Sequence, residues 1–150
     1  MLEEGKTERA LELFAAAWKE DPGHPGVEVN VPVALERIKK NADEALRQGR
    51  PEEAGKRYAA ALRFLSHPAA REAPLSFSKT DLKEKLDRIS SSLMEKGVEQ
   101  YRQGKIEAAI ATWRQILAYE PSHAEAAKSV RTATTQLENL KKLTPETPPK

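Results

Sequence analysis

At 150 residues, 39% of them hydrophobic and 32% charged, the chain has the length of one domain and apolar material for a modest core. Twenty-five Lys and Arg stand against 23 Asp and Glu, a formal net charge of +2. The signs alternate along almost every segment, which argues against a surface that grips a polyanion and leads to an expectation of no nucleic-acid partner. With no cysteine, disulfides, thiolate catalysis and cysteine zinc sites are excluded, while the choice between cytoplasm and cell envelope stays open.

No stretch approaches the roughly 18 to 20 apolar residues of a membrane span, and the opening MLEEGKTE has no basic head followed by an apolar run. The expectation is a soluble, unprocessed chain. Ala, Glu, Lys, Leu and Arg dominate, a mixture that favours helix on propensity alone and predicts an all-α fold.

In chain order, Gly5 followed by TERALELFAAAWKEDP reads as a turn glycine and the second helix of a hairpin that closes at Pro22. Residues 23–33, GHPGVEVNVPV, alternate Val27, Val29, Val31 and Val33 with polar residues or proline. That period of two, with Pro32 inside it, predicts an extended loop laid against the helices. Residues 35–48 and 52–65 predict a helical hairpin around Gly49, Arg50 and Pro51, with the proline at the first helical position. A second proline-rich insertion fills 66–78.

From 79 to 103, Leu82, Leu86, Ile89 and Leu93 recur at spacings of four, three and four, with Gly97 and Tyr101 continuing the stripe. Ser78 is the expected N-cap, with Asp81 in the first turn, and Gly104 is the stop. A second helix carries Ile106, Ala109, Ile110, Trp113, Ile116 and Leu117 on its apolar face and ends before Pro121. A turn this short makes the two helices antiparallel neighbours. Ser122 with Glu125 then signals a capping box for a last helix with the stripe Ala126, Val130, Ala133, Leu137 and Leu140, ending near Leu143. The tail 144–150, rich in proline, is expected to be disordered.

A register runs through these pieces. Aligned on Gly5, Gly49 and Gly104, the second helices match at Ala10, Ala54 and Ala109, then at Phe14, Tyr58 and Trp113, then at Ala17, Ala61 and Ile116. The small residue lets helices approach, and the aromatic one turn later fills the gap between them. This pattern resembles the tetratricopeptide repeat, a helix-turn-helix unit of 34 residues. The unit at 90–123 matches at Leu93, Gly97, Ile106, Ala109, Trp113, Ile116 and Pro121. The unit at 35–68 matches at Ile38, Ala42, Ala54, Tyr58 and Ala61 without the closing proline in register.

The resemblance implies stacked antiparallel hairpins over 1–143: a partial unit at 1–22, units at 35–68 and 79–123, and a capping helix at 123–143. It also implies a concave face lined by the first helix of each unit, which binds a peptide or partner helix. On that face fall Glu36, Lys39, Asp43, Leu46 and Arg47 in the middle unit, and Ser91, Met94, Val98, Tyr101 and Arg102 in the last. Leu46, Met94, Val98 and Tyr101 form an apolar strip edged by Lys39, Arg47 and Arg102, suited to a helix or peptide of some acidic character. Asp43 and Glu95 carry the wrong charge for members that clamp a C-terminal carboxylate. The shape of the closing unit also resembles envelope-associated bacterial proteins.

Chemistry is not expected. His24, His67 and His123 each sit near a proline at the end of a helical unit without a second ligand at helical spacing, and read as turn or helix-start residues. Ser90, Ser91 and Ser92 lie mid-helix with no base beside them and read as a small polar face between helices. Trp18 and Trp113 are assigned to helix packing by their repeat positions. The sequence reading is therefore a non-catalytic interaction module with no metal or cofactor. The second reading is a structural element that self-associates through its incomplete first unit.

Overall fold

The computed structural model describes residues 2–71 and 73–143, with side chains from residue 6 onward. The tail expected to be disordered lies outside the described residues. Six α-helices are found among the described residues, with no strand: α1 (Leu2–Glu20), α2 (Pro25–Arg47), α3 (Pro51–Leu65), α4 (Lys79–Arg102), α5 (Ile106–Tyr119) and α6 (Ala124–Leu143). A single 3-10 turn at Pro68–Ala70 interrupts the segment between α3 and α4. The fold is all-α, as composition and periodicity require. The chain forms two compact units that divide between Arg88 and Ile89, a boundary that falls within α4.

In the first unit, α2 supplies most of the core. Val27, Val31, Ala34, Leu35, Ile38, Ala42 and Ala45 are all buried, spaced by four, three, one, three, four and three along one helical face. This corrects the expectation of an extended loop over 23–33: the alternating valines split between two helix faces, Val27 and Val31 inward and Val29 and Val33 outward. Pro32 lies inside this helix. It forfeits one backbone hydrogen bond, which burial of the stripe on either side outweighs. The helix begins because Pro25 occupies its first turn and the His24 side chain caps it.

Gly5 also departs from expectation, since it lies within α1 and not in a turn. The other two aligned glycines are the turn residues expected, Gly49 with φ of 74° and Gly104 with φ of 80°. Both turns close the same way. The Arg50 N–H donates to the Ala45 carbonyl at 2.9 Å and the Lys105 N–H to the Gln100 carbonyl at 2.9 Å, the wide bond that ends a helix through a left-handed glycine. Leu11 and Thr7 of α1 are buried, as are Ala54, Tyr58 and Ala61 of α3, and Arg57 of α3 reaches Glu8 of α1 at 3.2 Å.

The start of α4 is capped reciprocally: the Asp81 N–H donates to Ser78 Oγ at 3.2 Å and the Ser78 N–H to Asp81 Oδ2 at 2.8 Å. In the second unit, Ile89, Leu93 and Met94 of α4 are buried with Ile106, Ala109, Ile110, Trp113 and Ile116 of α5 and with Ala126 and Ala133 of α6. Ser90 alone of the three serines is buried, and its hydroxyl lies 2.7 Å from that of Tyr119. Ser91 and Ser92 are exposed.

All three histidines act as caps. His24 Nδ1 accepts from the Gly26 N–H, His67 Nδ1 from the Ala69 N–H and His123 Nδ1 from the Ala126 N–H, each at 3.0 Å. The cap of α6 is thus His123, one residue beyond the Ser122 expected from the sequence. An imidazole nitrogen that accepts does the work usually given to a serine or aspartate oxygen. His123→Ala is expected to lower stability by about 1 kcal/mol, and His123→Asn to recover most of it, as urea denaturation would show.

Candidate functional site

The site begins with a glycine. A methyl group built on Gly97 would lie 2.5 Å from Cε2 and 2.7 Å from Cδ1 of Trp113, so the indole rests directly on bare α4 backbone. Its Nε1 donates to the Met94 carbonyl at 3.4 Å, and only 4% of the residue is exposed. Thr112 adds a second tie, its hydroxyl donating to Gln100 Oε1 at 2.6 Å. Trp113 is therefore a packing residue, as its repeat position implied.

Beside this joint the helices part. Tyr101 tilts by 36° against Trp113 with ring centroids 6.3 Å apart. A cavity of about 390 Å³ opens there, lined by Val98 and Tyr101 of α4, Trp113 of α5, and Glu125, Lys128, Ser129, Thr132 and Ala133 of α6. Val98 is 39% exposed, an uncovered apolar side chain at the mouth of the groove. The arrangement offers an apolar floor, two small hydroxyls for hydrogen bonding and one charge of each sign, which is the chemistry of segment recognition.

Of the expected groove residues in this unit, Val98 and Tyr101 line the cavity. Met94 is buried and contributes its carbonyl to Trp113, while Arg102 and Ser91 are exposed and outside the lining. The five residues of α6 were not expected, because that helix reads as a cap over the stack. Their signal is visible in retrospect: Ser129 and Thr132 flank the apolar stripe at Val130 and Ala133, a small-residue face beside a core face.

In the first unit, four of the five expected residues are committed to contacts within the unit. The Glu36 carboxylate accepts from the Ser76 N–H at 2.6 Å and hydroxyl at 2.8 Å, which fastens the proline-rich segment to α2. Lys39 pairs with Asp43 at 2.9 Å, the Tyr58 hydroxyl donates to Asp43, and Arg47 pairs with Glu44 one turn back. Leu46 is half-buried. Lys39 also lines a small cavity of about 160 Å³ with Phe77, Leu82 and charged residues of both signs. Trp18, assigned to packing from the sequence, is half-buried, edge-on to His67 at 5.3 Å, and borders a largely polar cavity of about 450 Å³.

Burial pushes the Asp43 carboxyl up, but hydrogen bonds from Tyr58 and Lys39 and the charges of Lys39 and Lys85 hold it below its ordinary value. Burial raises the Tyr58 hydroxyl, and the adjacent carboxylate raises it further. For a carboxyl depressed in the folded state, stability is present above the unfolded value near about 4 and is lost as pH falls through the folded value. Asp43→Asn is therefore expected to flatten the acid limb of the stability curve below about pH 4, measured as the urea midpoint against pH.

Among the described residues no group of three or more His, Asp or Glu is placed to hold a metal, and no helix is long and apolar enough to cross a membrane. No curated protein and no solved structure gives a significant match to the chain. A family model described as "bacterial transcriptional activator domain" matches residues 33–141. It supports a helical-repeat fold related to the one the repeat register implied, without naming the tetratricopeptide family itself.

The match also overturns the expectation of no nucleic-acid partner, because it ties the chain to activators of transcription, which bind DNA. Charge interspersion along one chain tests for a polyanion grip on its surface and is silent about the assembly in which it works. The matched segment runs from α2 to α6 and covers more than half of the sequence, so the chain belongs to the bacterial transcriptional activator domain family.

Proposed function

We propose that the chain is the non-catalytic interaction module of a bacterial transcriptional activator and that it receives a peptide or partner helix in the groove between α4 and α6. The observation that carries this reading is the 390 Å³ cavity floored by Trp113, with Val98 exposed and Tyr101 half-buried beside it. Trp113 is fixed by its seat on Gly97, so the floor is rigid and a bound side chain orders little of the protein. The occupant anchors an apolar side chain between Val98, Tyr101 and Ala133 and hydrogen-bonds to Ser129 and Thr132.

A photo-crosslinking side chain in place of Thr132, in the complete protein within its host, tests the reading. One discrete protein partner should be trapped, and Val98→Glu should abolish the trapping while circular dichroism stays unchanged. Equal trapping from Val98→Glu, or from a probe placed instead at exposed Lys141, would show that the groove is not the binding surface.

A further inference from the structure

The register that aligns Phe14, Tyr58 and Trp113 leaves one of these three aromatics only half-buried. Tyr58 is 0% exposed and Trp113 4%, and each stands sixteen residues after a buried small residue of the helix before it, Ala42 and Gly97. At Gly97 the structure shows why: the small residue is the seat of the ring. Phe14 has no such seat among the described residues. It is half-buried and lines an open cavity of about 380 Å³ between α1 and α2, together with Ala10, Val33 and Ala34.

The surroundings of this cavity are apolar and basic. Val33 is 58% exposed within the lining, and Leu13 and Val29 on the same two helices are 63% and 66% exposed. Large apolar side chains that cluster in the open mark an interaction surface more often than scattered ones do. Among the described residues, Lys6 and Arg37 are the charged residues of the lining. Both are exposed, and among the described residues neither enters an ion pair and no carboxylate lines the cavity.

We propose that this groove between α1 and α2 docks an amphipathic α-helix of a partner protein, with a small residue seated on Phe14 and carboxylates facing Lys6 and Arg37. The small residue follows from the geometry at Gly97, where an indole tolerates no side chain opposite it. The carboxylates follow from two cations that no described carboxylate opposes, flanking an apolar floor, which favour an acidic helix and repel a basic one. This surface lies wholly in the first unit and is independent of the groove between α4 and α6.

The test is titration of the complete protein with a labelled synthetic helix carrying leucines at spacings of four and three, one central glycine and glutamates on both flanks, followed by fluorescence anisotropy. Saturable binding is expected, weakened about tenfold or more by Val33→Glu and by Lys6→Glu with Arg37→Glu, and unchanged by Tyr101→Ala. Changing the probe's glycine to leucine, or its glutamates to lysines, should weaken binding as strongly. Val33 and the two cations are exposed, so these variants retain the fold, which circular dichroism verifies. Absence of binding, indifference to Val33→Glu or to charge reversal, or loss of binding with Tyr101→Ala would each overturn the proposal.

Discussion

Gly97→Ala is expected to destabilise the protein by about 3 kcal/mol, a large effect for the addition of one methyl group. Helix propensity alone predicts the opposite sign, since alanine in place of a mid-helix glycine stabilises by about 1 kcal/mol. Packing decides the matter. The new methyl would meet the body of the Trp113 ring, not the far end of a flexible chain, so α4 and α5 must move apart. Separation would also stretch the bonds from Trp113 to the Met94 carbonyl and from Thr112 to Gln100. Thermal and urea unfolding measure the loss. A stabilised variant would mean that the indole can vacate its seat freely.

Trp113→Ala is expected to cost about 4 kcal/mol, because it empties a site that is 4% exposed at the meeting of α4, α5 and the groove. The two changes act on one contact and will not add. With the ring already gone, Gly97→Ala should recover its propensity benefit, giving a coupling of about 4 kcal/mol in a double-mutant cycle. Additive effects would place the two residues out of contact. The loss of the groove floor should also remove partner binding under conditions where the variant remains folded.

From α4 onward the fold was legible because several local signals agreed. For α4 the stripe from Leu82 to Leu93, the Ser78 and Asp81 cap and the Gly104 stop each point to the same helix, and the observed limits are Lys79 and Arg102. The chain before α3 was less legible, because there the signals conflicted. Val27 to Val33 satisfy a period of two and also, through Val27, Val31, Ala34, Leu35 and Ile38, a helical period that extends into α2. The period of two and Pro32 tilted the reading toward a loop, and only the continuation of the stripe into Ile38 and Ala42 reverses it. Gly5 misled for a related reason. A glycine in register with two turn glycines suggests a turn, but no turn residue or helix stop accompanies it.

The groove was half legible. Val98 and Tyr101 follow from the repeat register, but the facing wall on α6 does not, because a terminal helix in a stack reads as cover and not as lining. On α2 the same register names residues that the structure ties to partners within their own unit. Lys39, Asp43 and Arg47 occupy groove positions by number, yet each finds a partner within its own unit, all three through i,i+3 or i,i+4 pairs that a helical wheel shows only once attention is on them. The histidines illustrate the reverse case. Their places beside helix starts were visible in the sequence, and the bond each makes through Nδ1 gives those places a cause.

The central claim is that the face formed by α4 and α6 binds a protein segment, and a nuclear magnetic resonance titration of the labelled chain with the segment trapped at Thr132 tests it most directly. Saturable shifts are expected at Val98, Tyr101, Ser129, Thr132 and the Trp113 indole, with α2 residues such as Lys39 and Asp43 undisturbed. Shifts confined to α1 and α2, or none at the Trp113 indole, would contradict the claim.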